Sequence, residues 1–278
     1  VPYVVQIPPG EETRFQHLAR SVTALVGCMH PRPGQLAKPV FWSGVLVSLG
    51  GSHFIVTAGH GVKLCDKNED LIIGFADAPR FVVMKPGEFV AGVIRPDADD
   101  PDVAVIELTA AHDDLWRAQE PLTLAEFGDH AGVGVGAPAL LLGNPSADMP
   151  EPTPAGPPLH LGIGVLPHVT AKVVPYATTL APPLVERTPR PGFYVFYEDS
   201  VFEDDSAAFV HPNGFSGGPI LSVGDGRRTL LGVARAFYKP RHLHCEPAWH
   251  ALQFLRDAHP RPAIRAVAAR GLSTLGRG

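Results

Sequence analysis

The residues best suited to chemistry in this chain lie in Gly214-Phe215-Ser216-Gly217-Gly218-Pro219. A serine hydroxyl becomes a nucleophile when a neighbouring base takes its proton. Glycines on both sides let the backbone bend tightly and approach a substrate with no side chain in the way. Such a turn can aim the amides of Gly214 and Ser216 at one point, as an oxyanion hole requires when a carbonyl is attacked. The candidate base is His60, which closes the run Val56-Thr57-Ala58-Gly59-His60. Its small neighbours, which permit close packing, single it out from the 13 histidines of the chain. The candidate acid is Asp102, which opens the apolar run Val103-Ala104-Val105-Ile106. At a half-buried strand end a carboxylate can accept a hydrogen bond from an imidazole Nδ1–H, fixing the tautomer and stabilising the imidazolium formed during attack. Asp97, Asp99 and Asp100 lie beside it; no buried run follows them at once, and they read as solvated turn residues.

Other clusters carry less. The serine segment also satisfies G-x-S-x-G, but that elbow needs a helix directly after the serine, and here Pro219-Ile220-Leu221-Ser222-Val223 is strand-like. His242, His244, Cys245 and His250 are zinc-type ligands without a common ligand spacing. They read as exposed or satisfied side chains, so neither a metal nor any other cofactor is expected. Gly132, Gly134 and Gly136 alternate without opening a helix and read as a turn. Composition narrows the field further. A net charge of -5 and a pI near 6.2 provide no basic field for nucleic acid. No apolar run reaches the roughly 18 residues of a membrane span. The 3 cysteines, Cys28, Cys65 and Cys245, are too few for a disulfide framework, which favours a reducing, cytoplasmic setting over secretion.

These side chains must be positioned by short strands. The chain holds 29 glycines and 30 prolines, punctuation that suits strands and turns better than long helices. Glu11–Ala19 is helix-like, and a strand is expected over 20–27. The segments 41–49 and 53–58, joined at Gly50-Gly51, read as a β-hairpin. Further strands are expected at 70–75, 80–85, 88–94 and 102–108, then, after a polar crossover at 109–128, at 137–143, 169–176, 192–198, 218–223 and 229–237. A long proline-rich loop falls between Pro145 and Pro191. Helical spacing appears only over 248–257 and 263–270 at the C-terminus. The expected class is all-β.

The segments TAGH, DVAVIEL and GFSGGP, in that order, resemble the three signature segments of the trypsin-like (chymotrypsin-fold) serine peptidases, loosely from about residue 20 to 240. The resemblance implies two six-stranded antiparallel β-barrels with a C-terminal helix. Residues 1–120 would carry His60 and Asp102, and residues 121–278 would carry Ser216. It implies a serine endopeptidase with Gly214 and Ser216 as the oxyanion hole and a protein or peptide as substrate. It also implies a substrate pocket with Val210 at its base and Ala234, Arg235 and Ala236 along one wall. With an apolar base a small or medium apolar side chain before the scissile bond is expected, unless Asp204 or Asp205 intrudes. Phe215 stands where the secreted zymogens of that family keep an aspartate, and no cysteine follows His60. In both respects the chain is more similar to bacterial and HtrA-like members. Such a protein leaves room for an activating protein partner or for further domains of a larger chain. Two alternatives stay open: a binding or scaffold protein with a latent triad, and an esterase-type serine hydrolase.

Overall fold

The computed structural model describes residues 11–32, 35–64, 71–75, 82–84, 101–109, 116–143, 159–161, 164–166, 174–181, 192–196, 214–224, 227–239 and 242–278. A helix α1 (Glu11–Val22) leads into β1 (Thr23–Arg32), β2 (Gln35–Leu49) and β3 (Ser52–Ala58). A short helix α2 (Gly59–Leu64) is followed by β4 (Leu71–Phe75), β5 (Val82–Met84), β6 (Val103–Leu108) and β7 (Leu122–Thr123). The second half holds β8 (Pro138–Gly143), β9 (Leu159–Leu161), β10 (Gly164–Leu166), β11 (Val174–Ala181), β12 (Phe193–Phe196), β13 (Pro219–Gly224), β14 (Arg227–Lys239) and β15 (His242–Pro247). Helices α3 (Trp249–Ala258) and α4 (Pro262–Thr274) close the chain as given.

The strands form two main sheets. The first runs β5-β4-β1-β2-β3-β6, with β7 added in parallel against β2. The second closes on itself as β11-β12-β15-β14-β13-β8, and β8 pairs with β11 to complete the ring. The fold is thus predominantly β, with two largely antiparallel sheets and C-terminal helices. The expected hairpin at Gly50-Gly51 is present: Leu49 pairs with Ser52, and both glycines have positive φ, 60° and 81°, as a two-residue type I′ connection needs.

Alternating side chains account for the long apolar runs. In β2, Leu46 points into a core within the first sheet, while Val45 and Val47 point to a second cluster. In β8, Leu141 enters the barrel interior, while Leu140 and Leu142 join that same second cluster. Strands buried on both faces must be apolar at successive positions. The shared cluster also takes Leu252 and Leu255 of α3 and Ile264 and Ala268 of α4, so the helices seal the seam between the sheets.

One expectation needs correction. Residues 20–22 complete α1, and the strand starts at Thr23. Phe15, Leu18, Ala19 and Val22 share one helical face at i, i+3, i+4, i+7 spacing and pack on the shared core, so the helical period outlasts the short β-branched run. Among the described residues the first half, expected as a six-stranded barrel, holds a seven-stranded sheet. The strand expected at 88–94 falls outside the described residues, as does 169–173 of the strand expected at 169–176; the described strand there, β11, runs from Val174 to Ala181.

Candidate active site

Antiparallel pairing brings the first two candidates together. Ala58, the last residue of β3, pairs with Val103, the first of β6. The residues just beyond these ends therefore meet. The Gly59 amide donates to the Asp102 carbonyl at 3.1 Å, and the His60 amide donates to Asp102 Oδ1 at 2.7 Å. His60 Nδ1 lies 2.6 Å from Asp102 Oδ2. Asp102 is 5% exposed, whereas 41% of the His60 side chain is open to solvent. The carboxylate is thus sealed beneath an imidazole that presents an outer edge. Burial pushes the Asp102 carboxyl upward, but hydrogen bonds and charge from His60, with the charge of Arg235, outweigh it and hold the group below its ordinary value.

A depressed aspartate contributes stability above its unfolded pKa and loses it as pH falls through the lower folded value. Asp102→Asn is therefore expected to be less stable than wild type at neutral pH, with the gap closing as the acid range is entered. Urea unfolding of both proteins across that range checks this, and a gap independent of pH would refute it.

The third candidate lies in the turn leading into β13. The Ser216 carbonyl accepts from the Ser43 amide at 2.8 Å, and the Gly214 carbonyl accepts from Ser43 Oγ at 2.6 Å. Gly217 N–H donates to the Ala234 carbonyl at 2.6 Å, and Ala234 N–H donates to the Gly218 carbonyl at 2.8 Å. Phe215 is fully buried in the barrel core. Its carbonyl is turned to the Gly218 amide at 2.7 Å, so across the trans peptide the Ser216 N–H points the opposite way. Among the described residues that amide has no acceptor, as an oxyanion donor should. Ser216 Oγ donates to the Arg235 carbonyl at 3.2 Å.

Chemically, the site combines a histidine held by a buried carboxylate with a serine on a rigid glycine turn. Such a pair can carry general-base and nucleophilic chemistry once the hydroxyl turns toward the imidazole. No hydrogen bond joins Ser216 to His60 here, a separation that substrate-free sites often show.

The remaining candidates are placed unevenly. Gly214 has φ 94°, and Ala234 sits beside the serine turn with Ala236 one residue past Arg235. The Arg235 guanidinium runs inward, 3.3 Å from Asp102 Oδ2 and 2.6 Å from Glu246 Oε1. Val210, Asp204 and Asp205 lie outside the described residues, as do Asp97, Asp99, Asp100 and Cys65. Cys28 and Cys245 are buried free thiols, and burial raises the Cys245 thiol well above its ordinary value. Among the described residues no group of three His, Cys, Asp or Glu could hold a metal, and His250 Nδ1 instead faces Glu246 Oε2 at 3.1 Å. Among the described residues no helix is long and apolar enough to cross a membrane.

Sequence reasoning missed two contributors, Ser43 and Glu246. Ser43 clamps two carbonyls of the serine turn and accepts from Thr57 Oγ1 at 2.6 Å. Its signal was a small polar residue inside the apolar run Phe41-Trp42-Ser43-Gly44-Val45. Glu246 and His250 form an i, i+4 pair, and an acid within an apolar strand could have flagged the first of them. No protein-family model matches the chain, and no curated protein is detectably similar to it.

Proposed function

We propose that this protein is a trypsin-like serine endopeptidase, with its two sheets acting as the two barrel halves of that fold. The observation that carries the reading is the 2.6 Å contact between His60 Nδ1 and a buried Asp102, next to a serine turn clamped by Ser43. In the proposed reaction Ser216 Oγ attacks the scissile carbonyl carbon while His60 Nε2 takes its proton. The Ser216 amide, with that of Gly214, receives the oxyanion. Collapse of the tetrahedral intermediate breaks the C–N bond, and His60 returns the proton to the leaving amine. Water, deprotonated by His60, then attacks the acyl carbon; the bond to Ser216 Oγ breaks, the acid product leaves, and His60 returns the proton to Oγ.

A specific observation favours a second reading, a latent form that needs a partner: the Ser216 hydroxyl is directed at the Arg235 carbonyl and not at His60. A fluorophosphonate probe tests both. Labelling at Ser216, lost in His60→Ala and located by mass spectrometry, is the expected result for the peptidase. Absence of labelling in the protein alone would refute an autonomous enzyme. Turnover of esters with none of peptides would point to the esterase alternative.

A further inference from the structure

Among the described residues Arg235 touches both the acid and the nucleophile. It stands at a bulge of β14: Ala234 pairs with Cys245 and Ala236 with His244, leaving Arg235 as the extra residue between two consecutive partners on β15. A bulge re-aims the side chain it carries. Here the side chain, 11% exposed, is directed beneath the site. Its Nε lies 3.3 Å from Asp102 Oδ2, the same oxygen that meets His60 Nδ1. Its other end donates to Glu246 Oε1 at 2.6 Å. Glu246 is fully buried, and its second oxygen faces His250 Nδ1 of α3 at 3.1 Å. A buried carboxylate persists only when partnered, so Glu246 and Arg235 fix one another. Among the described residues the charged or titratable groups in this network are Asp102 and Glu246, with His60 and His250 at its two ends.

The consequence for Asp102 is geometric. Its Oδ1 accepts from the His60 amide, and its Oδ2 is shared by the imidazole and the guanidinium. With both oxygens engaged the carboxylate plane cannot rotate, and that plane sets the plane of the imidazole. The carbonyl of the same arginine holds the Ser216 hydroxyl. We propose that Arg235, anchored on Glu246, is a positioning residue that ties Asp102 and Ser216 into one rigid unit and so sets the geometry of proton transfer. This rests on the serine-hydrolase reading above.

The test compares wild type with Arg235→Lys and with the Arg235→Met, Glu246→Gln double variant. The double variant removes both buried charges together, so that neither is stranded. The primary readout is the rate of fluorophosphonate labelling at Ser216, with kcat and KM measured separately. The double variant is expected to label roughly 10- to 100-fold more slowly, through kcat with KM unchanged, as for a misplaced catalytic group. Arg235→Lys should fall between, because lysine keeps the charge but lacks the planar fork that spans two carboxylates. Labelling of the double variant at the wild-type rate would overturn the proposal. If that variant does not fold, Arg235→Lys decides: several-fold slower labelling supports the proposal, and wild-type labelling overturns it. A second readout is independent of activity. The Asp102 carboxyl, followed by ¹³C NMR, should titrate higher in the double variant, where one influence holding it down is gone. If wild type itself is not labelled, the reading as an autonomous hydrolase fails, and this titration alone decides whether Arg235 acts on Asp102; an unchanged curve sinks the inference.

Discussion

Ser216→Ala is expected to lower kcat for peptide hydrolysis by about 10⁵- to 10⁶-fold while leaving the fold intact. On the proposed mechanism the loss follows from removing the oxygen that forms the covalent bond. The fold survives because nothing structural depends on that hydroxyl. Its single hydrogen bond among the described residues is to the Arg235 carbonyl at 3.2 Å, a contribution of about 1 kcal/mol. The turn is held by main-chain groups that alanine preserves: the Ser216 carbonyl on the Ser43 amide, and Gly217 and Gly218 on Ala234. His60→Ala should cost a comparable factor, and the two together little more than either alone, since nucleophile and base act as a unit. Steady-state hydrolysis of a peptide substrate beside thermal melting checks all three proteins. Activity retained in Ser216→Ala would refute the assignment of the nucleophile, and losses that multiply would refute the coupling to His60.

Much of this site could be read from local sequence because its geometry is local. The end of β3 and the start of β6 are marked by apolar runs, and antiparallel pairing of Ala58 with Val103 then forces His60 against Asp102. The hairpin at Gly50-Gly51 was visible for the same reason: two adjacent glycines permit the φ values that the turn needs. What could not be read depends on partners distant in sequence or on register. Ser43 looks like an ordinary strand residue until the serine turn docks on it from 171 residues away. The resemblance put Arg235 on a pocket wall, but strand alternation says nothing about a bulge, and here the bulge sends the guanidinium to Asp102. His250 stood in sequence with His242, His244 and Cys245 as a metal-type cluster read as exposed or satisfied side chains, and its partner Glu246, itself held by a buried arginine, emerges only in three dimensions. The start of β1 was misplaced because Arg20–Val22 fit a strand by residue type, while the helical face from Phe15 to Val22 is settled by packing.

Gly217→Ala tests whether the serine turn is held by contact with the first sheet. Gly217 has φ 80°, and a Cβ there would lie 2.1 Å from the Ser43 carbonyl oxygen, 2.2 Å from Thr57 Oγ1 and 2.8 Å from the Ala58 amide. None of these atoms can yield cheaply. Two are main chain, and the hydroxyl is fixed by its 2.6 Å bond to the same Ser43 carbonyl. Left-handed backbone costs about 1–2 kcal/mol for a non-glycine residue, and overpacking against rigid groups adds about 1–3 kcal/mol. Gly217→Ala should therefore lose roughly 2–5 kcal/mol and, if it folds, push Ser216 away from His60 with a collapse in kcat. Gly51→Ala provides the comparison. Gly51 has nearly the same φ, 81°, but nothing lies within 4 Å of its would-be Cβ, so only the conformational part of about 1–2 kcal/mol applies. Urea unfolding of the two variants separates the terms. Equal losses would mean that backbone conformation alone matters at Gly217. A larger loss at Gly217, together with slowed labelling of Ser216, would mean that the turn depends on the absence of a side chain against Ser43 and Thr57.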